Sequence, residues 1–223
     1  MADNTAMAAP PSQQEFATAP GSNKPLLLTM FAAPKEAADV LQRTADYARD
    51  PKLYLQTALG PDYEKRQHLL SIPEKIDKDG YGKGEHKSAF EAHIAKLMGK
   101  PHGLFFFTGV QAQLAALKIH CAAAGNQRVA WHVTSHLEEA ESSSWRELYG
   151  LQRTLVGESK DALPTIEEIR AVVNLPKEQR PAVLLIEVPN RTLGCATYTF
   201  EELETISKAC KAAGVKLHCD GAR

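Results

Sequence analysis

LHCDGAR, Leu217 to Arg223, puts a carboxylate and a guanidinium just past a short apolar run. Period-two alternation places Lys216, His218 and Asp220 on one face of that run and Val215, Leu217 and Cys219 on the other. A carboxylate at a strand's end binds a metal, orients a base, or pairs with a cationic ring nitrogen. Three more phrases follow predicted strands in the same way: Thr108-Gly109-Val110, Thr134-Ser135-His136 and Pro189-Asn190-Arg191. A hydroxyl, a glycine and free amides at a helix start make a phosphate cradle, although Thr108 as an ordinary N-cap explains the same letters. His136 suits stacking on a flat ring or proton transfer, and equally the bonding of a local turn. Arg191 suits bidentate grip of a carboxylate, or a solvated loop charge.

Metal and hydrolase chemistry fit less well. His218 and Asp220 have ligand-like spacing, but no second histidine or carboxylate cluster lies near them in sequence. No G-x-S-x-G elbow accompanies the available Ser, His and Asp.

The elements that must position these residues alternate. HKSAFEAHIAKLMG has Phe90, Ile94 and Leu97 at helical spacing and stops at Gly99 and Pro101. GLFFF is too short and aromatic for a helix and is expected to be a buried strand. VQAQLAALKIHCAAAG follows as a helix, RVAWHV as a strand, LEEAESSSWRELYG as one helix and RTLVG as a strand. Thr165 with Glu168, and Thr199 with Glu202, are capping-box pairs that open TIEEIRAVVN and FEELETISKACKAAG. AVLLIEV and VKLHCD are the strands associated with those helices. Such alternation forces parallel pairing through right-handed crossovers. The expected class is α/β, a mostly parallel sheet with helices on both faces, and ligands in such sheets bind beyond the carboxyl ends of the strands.

Upstream, residues 1–25 are rich in Ala, Pro, Ser, Gln and Asn without periodicity and are expected to be a disordered leader. It lacks the arginines of a mitochondrial presequence: the first is Arg43, after Asp3 and Glu15. Residues 26–76 are expected to form a helical segment, with Ala37, Val40, Leu41 and Ala45 spaced as an apolar stripe in PKEAADVLQRTADYARD. Residues 77–223 are expected to form the α/β domain, entered through the glycine-rich loop IDKDGYGKGEH.

With 26 Lys+Arg against 27 Asp+Glu, the chain has no basic field to gather nucleic acid or an anionic membrane. No run reaches the roughly 18 apolar residues of a membrane helix. Four cysteines without a C-x-x-C pair suit reduced thiols in a cytosol.

Taken in order, DGYGKGEHKSAFEAHIAKLMGKPHGLFFFTG, TSHLEEAE, IEVPNRTLGC and LHCDGAR resemble the aromatic amino acid beta-eliminating lyase and threonine aldolase family, pyridoxal-phosphate enzymes of the aspartate aminotransferase fold. The resemblance spans about Asp77 to Arg223. It implies that Asp220 pairs with the pyridine nitrogen and that the amides around Thr108, Gly109 and Val110 hold the cofactor phosphate. It implies that His136 stacks on the ring and takes part in proton transfer at the substrate hydroxyl. Arg223 and Arg191 would hold the amino acid's carboxylate. The implied reaction cleaves threonine or allo-threonine to glycine and an aldehyde, in a cytoplasmic homodimer or homotetramer. Beta-elimination, another enzyme of the same fold, or a non-catalytic cofactor-binding remnant are the alternatives. This sequence has Val110 where the family more often has threonine, and Pro189 where aldolases often have histidine. The family's Schiff-base lysine lies beyond the Asp-Gly-Ala-Arg phrase, so the chain is expected to be the front portion of the enzyme, lacking a small C-terminal domain and inactive alone. Lys216 is no substitute, being about 13 Å back along the strand from Asp220 at about 3.3 Å per residue.

Overall fold

Four five-residue strands pair into one sheet: β1 Arg128–His132, β2 Gln152–Val156, β3 Val183–Glu187 and β4 Lys216–Asp220. These ranges come from a computed structural model that describes residues 36–70, 72, 73, 76 and 79–222. The strand order is β2-β1-β3-β4 and every pair is parallel. Residues 1–25, expected as a leader, lie outside the described residues, as do 26–35 of the helical segment and Arg223.

Alternation along the strands separates two cores. Val129, Trp131, Val183 and Leu185 face Leu114, Leu117 and Cys121 of helix α5, Gly109–Ala124. Ala130, Val156, Leu184 and Ile186 face Ile169 and Val173 of α8, Ile166–Val173, and Ile206 and Cys210 of α9, Phe200–Ala213. A parallel sheet buried on both faces needs apolar residues at consecutive positions, and Val183–Ile186 are all buried. Trp131, wholly buried, meets Trp145 edge to face at 5.1 Å between ring centroids. Both predicted capping boxes are formed, Thr165 with Glu168 and Thr199 with Glu202. Gly214 closes α9 at φ 71°, a left-handed conformation that only glycine takes without strain.

Before this unit come α1 Ala37–Arg49, α2 Pro51–Leu59, α3 Tyr63–Arg66 and α4 Glu85–Leu97. The apolar stripe of α1 is present, but the helix buries none of its residues, and Leu41 is 70% exposed. Spacing makes a helix amphipathic; only a neighbour makes the stripe a core. Asp79 closes the predicted glycine-rich loop by accepting from the amides of Tyr81, Lys83 and Gly84.

Two expectations need correction. GLFFF is not a buried strand: Gly103–Phe107 forms no strand, and Phe107 is 92% exposed. Its amide at Phe105 is satisfied by the Glu91 carboxylate at 2.7 Å, and its rings stack edgewise on Phe90 and each other. A strand exists only where a ladder partner lies alongside, and none does among the described residues. LEEAESSSWRELYG is not one helix either. It breaks into α6 His136–Glu139 and α7 Ser144–Glu147, because Ser142 and Ser143 both take left-handed φ, 47° and 60°.

Candidate functional site

The chain runs outward from β1 to β2, then crosses back to β3 and on to β4. Loops leaving the carboxyl ends of β1 and β3 therefore diverge, and a crevice is expected between them. A hollow of about 590 Å³ opens there, lined by Gly109, Val110, Gln113, His136, Glu187, Pro189, Arg191, His218 and Asp220 among others. It thus brings together Gly109, Val110, His136, Arg191 and Asp220 from four separate sequence phrases. Thr108 is not part of the lining. It caps α5, its hydroxyl oxygen accepting from the Gln111 amide at 3.2 Å. The amides of Gly109 and Val110 are first-turn groups without an intrahelical acceptor, and they begin a 16-residue helix whose positive dipole end faces the hollow.

Asp220 stands at the end of β4, directly in register with Glu187 of β3. Gln113 Nε2 donates to its Oδ2 at 2.8 Å and the Ala222 amide to its Oδ1 at 3.0 Å. These bonds fix the carboxylate without neutralising it. Gln113 was not foreseen, yet a signal existed: it lies one turn after Gly109, on the face of α5 that carries Leu114 and Leu117, and a polar residue there is only 7% exposed.

Glu187 was also missed, although it ends the most strand-like run in the sequence. Its Oε1 accepts from the His136 amide at 2.6 Å. Burial pushes its pKa up from 4.5, the His136 amide pulls it down, and the neighbouring Asp220 charge pushes it up again. A raised native pKa means the folded chain keeps a proton that the unfolded chain has lost. Stability therefore declines as pH rises from 4.5 through the native value. Glu187→Gln should remove this component, so its melting temperature should gain on the native protein as pH rises from 4.5 to 7. Thermal melts across that range check it, and a constant difference between the two proteins would refute it.

His136 opens α6, with Nδ1 2.8 Å from Glu141 Oε1. Asn190, 2% exposed, is a tie rather than a ligand. Its amide nitrogen donates to Thr134 Oγ1 at 3.2 Å, and its Oδ1 accepts from the Leu193 amide, joining the loops after β1 and β3. That tie holds the base of the loop from which Arg191 reaches the hollow. His218 shares the face of Asp220; burial lowers its pKa, the Asp220 charge opposes this, and His120 adds to it. No lysine among the described residues lines the hollow. Among those residues, no cluster of three or more His, Cys, Asp or Glu is arranged to hold a metal, and no helix is long and apolar enough to cross a membrane.

A family model described as beta-eliminating lyase matches residues 73–223. Low-specificity L-threonine aldolase 1 of Arabidopsis thaliana is 28% identical over 179 residues, 78% of this chain and 49% of that protein. A solved structure from Listeria monocytogenes, provisionally called an L-allo-threonine aldolase, is 39% identical with a TM-score of 0.62, over 70% of this chain and 42% of that one. Another from Exiguobacterium, provisionally called an aromatic amino acid beta-eliminating lyase/threonine aldolase, is 37% identical with a TM-score of 0.62, over 71% and 43%. The chain spans about half the length of the curated relatives it matches.

Proposed function

Because the chain belongs to the beta-eliminating lyase family, we propose that its hollow holds pyridoxal 5′-phosphate and serves an aldolase that cleaves β-hydroxy amino acids such as threonine or allo-threonine. The donor set suits that cofactor. A fixed carboxylate, Asp220, meets the need of a cationic ring nitrogen, and the unfilled amides of Gly109 and Val110 meet that of a phosphate. The hollow lies within the ~300–1,000 Å³ usual for small-molecule sites. Val110 offers only its amide, while the Thr108 hydroxyl keeps a hydrogen free to donate.

When bound, the cofactor supplies an electron sink for charge developing at the substrate's α carbon. Asp220 favours a proton on the ring nitrogen. Arg191, a guanidinium at the rim with no ion pair among the described residues, grips the substrate carboxylate, a task that Arg223 beyond the described residues would share. His136 accepts the β-hydroxyl proton as the Cα–Cβ bond breaks and the aldehyde carbonyl forms. Glycine is the amino acid released. We place the protein in the cytoplasm, where four unbridged cysteines stay reduced, and as a homodimer or homotetramer.

The juxtaposition of Asp220, Gln113 and the start of α5 around one hollow carries this reading. Titration of the chain with pyridoxal 5′-phosphate, followed by absorbance and tryptophan fluorescence, should saturate. Among the described residues no lysine lines the hollow, so these residues should bind the cofactor without turning threonine over by themselves. Incubation of loaded protein that also carries the family's lysine with threonine should yield glycine and acetaldehyde without an amino acceptor. A non-saturating titration overturns the cofactor assignment, and keto acid with ammonia but no glycine would assign elimination instead.

A further inference from the structure

His136 is gripped at two places by two different carboxylates. Glu187, from the end of β3, takes its backbone amide at 2.6 Å. Glu141, five residues further along, takes its ring at Nδ1 at 2.8 Å. The side chain of Glu141 is only 10% exposed, while the imidazole it meets is 38% exposed and lines the hollow. A carboxylate so nearly buried needs a partner, and among the described residues the ring is the one it has.

The backbone is bent to make this contact. A continued α6 would carry Glu141 along the helix, past the imidazole. Instead the chain leaves the helix at Ala140, and Ser142 and Ser143 adopt left-handed φ of 47° and 60°. Two consecutive non-glycine residues seldom do so. Unusual backbone held by its surroundings is characteristic of places where a side chain must be aimed.

We propose that Glu141 is a positioning residue: it holds the proton of the neutral His136 imidazole on Nδ1 and so presents Nε2, as a lone-pair acceptor, to the hollow. An ionised carboxylate can only accept, so Nδ1 must be the donor. A neutral imidazole has one proton, and placing it on Nδ1 leaves Nε2 basic. Ring orientation follows as well, since the Glu187 bond fixes the backbone and the Glu141 bond fixes the ring. The catalytic consequence rests on the aldolase reading, in which Nε2 takes the β-hydroxyl proton; the tautomer itself does not.

Long-range proton–nitrogen correlation spectra of the chain with ¹⁵N-labelled histidine, without cofactor, read the tautomer directly, with His136→Gln identifying the signal. The native protein should show His136 protonated on Nδ1. Glu141→Ala should move the population towards Nε2–H, and Glu141→Gln, whose carbonyl oxygen still accepts, should largely retain the native form. Unchanged signals of the other histidines show that each variant is folded; should the alanine variant fail to fold, Glu141→Leu takes its place. An Nε2–H signal in the native protein, or one indifferent to loss of the carboxylate, overturns the proposal. In loaded protein Glu141→Ala should lower kcat by about 10- to 100-fold, the usual effect of removing a group that orients a ligand or base, with cofactor affinity unchanged. A tautomer shift in protein that carries the family's lysine yet cleaves no threonine would sink the aldolase reading and leave the positioning role standing. Cleavage with an insensitive tautomer would do the reverse.

Discussion

Asp220→Ala lowers the affinity of the chain for pyridoxal 5′-phosphate by roughly 10- to 100-fold in equilibrium titration. The size follows from the interaction removed. A hydrogen bond to a charged group contributes about 1.5–3 kcal/mol, and each 1.4 kcal/mol is a factor of ten in binding. Asp220 suits the role because Gln113 and the Ala222 amide hold it in place, so little order remains to be imposed on binding. Asp220→Asn separates charge from shape: it keeps an acceptor but no longer favours a protonated ring nitrogen. It should bind better than the alanine variant and worse than the native chain. Equal affinity in all three proteins would remove the basis for placing the cofactor here.

The largest loss of stability is expected at Trp131. Its indole is wholly buried in one cluster with Leu114 and Leu117 of α5 and Leu137 of α6, packs edgewise on Trp145, and donates from Nε1 to Glu138 at 3.1 Å. Trp131→Ala should cost about 3–5 kcal/mol, from lost burial and the cavity left behind. A domain of this kind has about 5–15 kcal/mol in total, so the variant should unfold at far lower urea concentration or fail to accumulate folded. Trp131→Phe keeps a ring but leaves the Glu138 carboxylate without that donor, and should fall between. A urea midpoint for the alanine variant within experimental error of native would show that this part of the core is not cooperative with the rest.

What could be read from the letters, and what could not, divides by range. Thr165 with Glu168 and Thr199 with Glu202 were predictable because a capping box is a contract between residues three apart. The four strands from β1 to β4 were predictable because apolar runs bounded by helices have few alternatives. Gly103–Phe107 misled because aromatic content describes a segment, whereas a strand is a relation between two. The helix expected across Ser142 and Ser143 failed because serine's tolerance of left-handed φ is too rare to anticipate. The hollow gathers Asp220, His136 and Arg191 because each stands at or just past a strand's end, where a parallel sheet presents its ligand-binding edge, whereas Gly109 and Val110 reach it at the start of α5 after a run that forms no strand. Gln113, Glu141 and Glu187 were missed because their meaning depends on who stands opposite: Glu187 faces Asp220 only once β3 and β4 are in register, and Glu141 meets His136 only because the chain turns back.

The parallel order of the sheet has a kinetic side. No two strands here can be joined by a tight hairpin, so the first ladder must close across the whole α6–α7 segment, with Arg128 finding Gln152. The next must bring Val183 back to Val129, inserting β3 on the far side of β1. The β4 ladder runs along the far edge of β3 and carries Asp220 to Glu187. Loop closure of this kind comes before the contacts that reward it, so such topologies form slowly compared with helical bundles of similar size. On a ribosome β1 and β2 would emerge before β3 and β4, so the ligand hollow would take shape only once Asp220 had followed the earlier strands out.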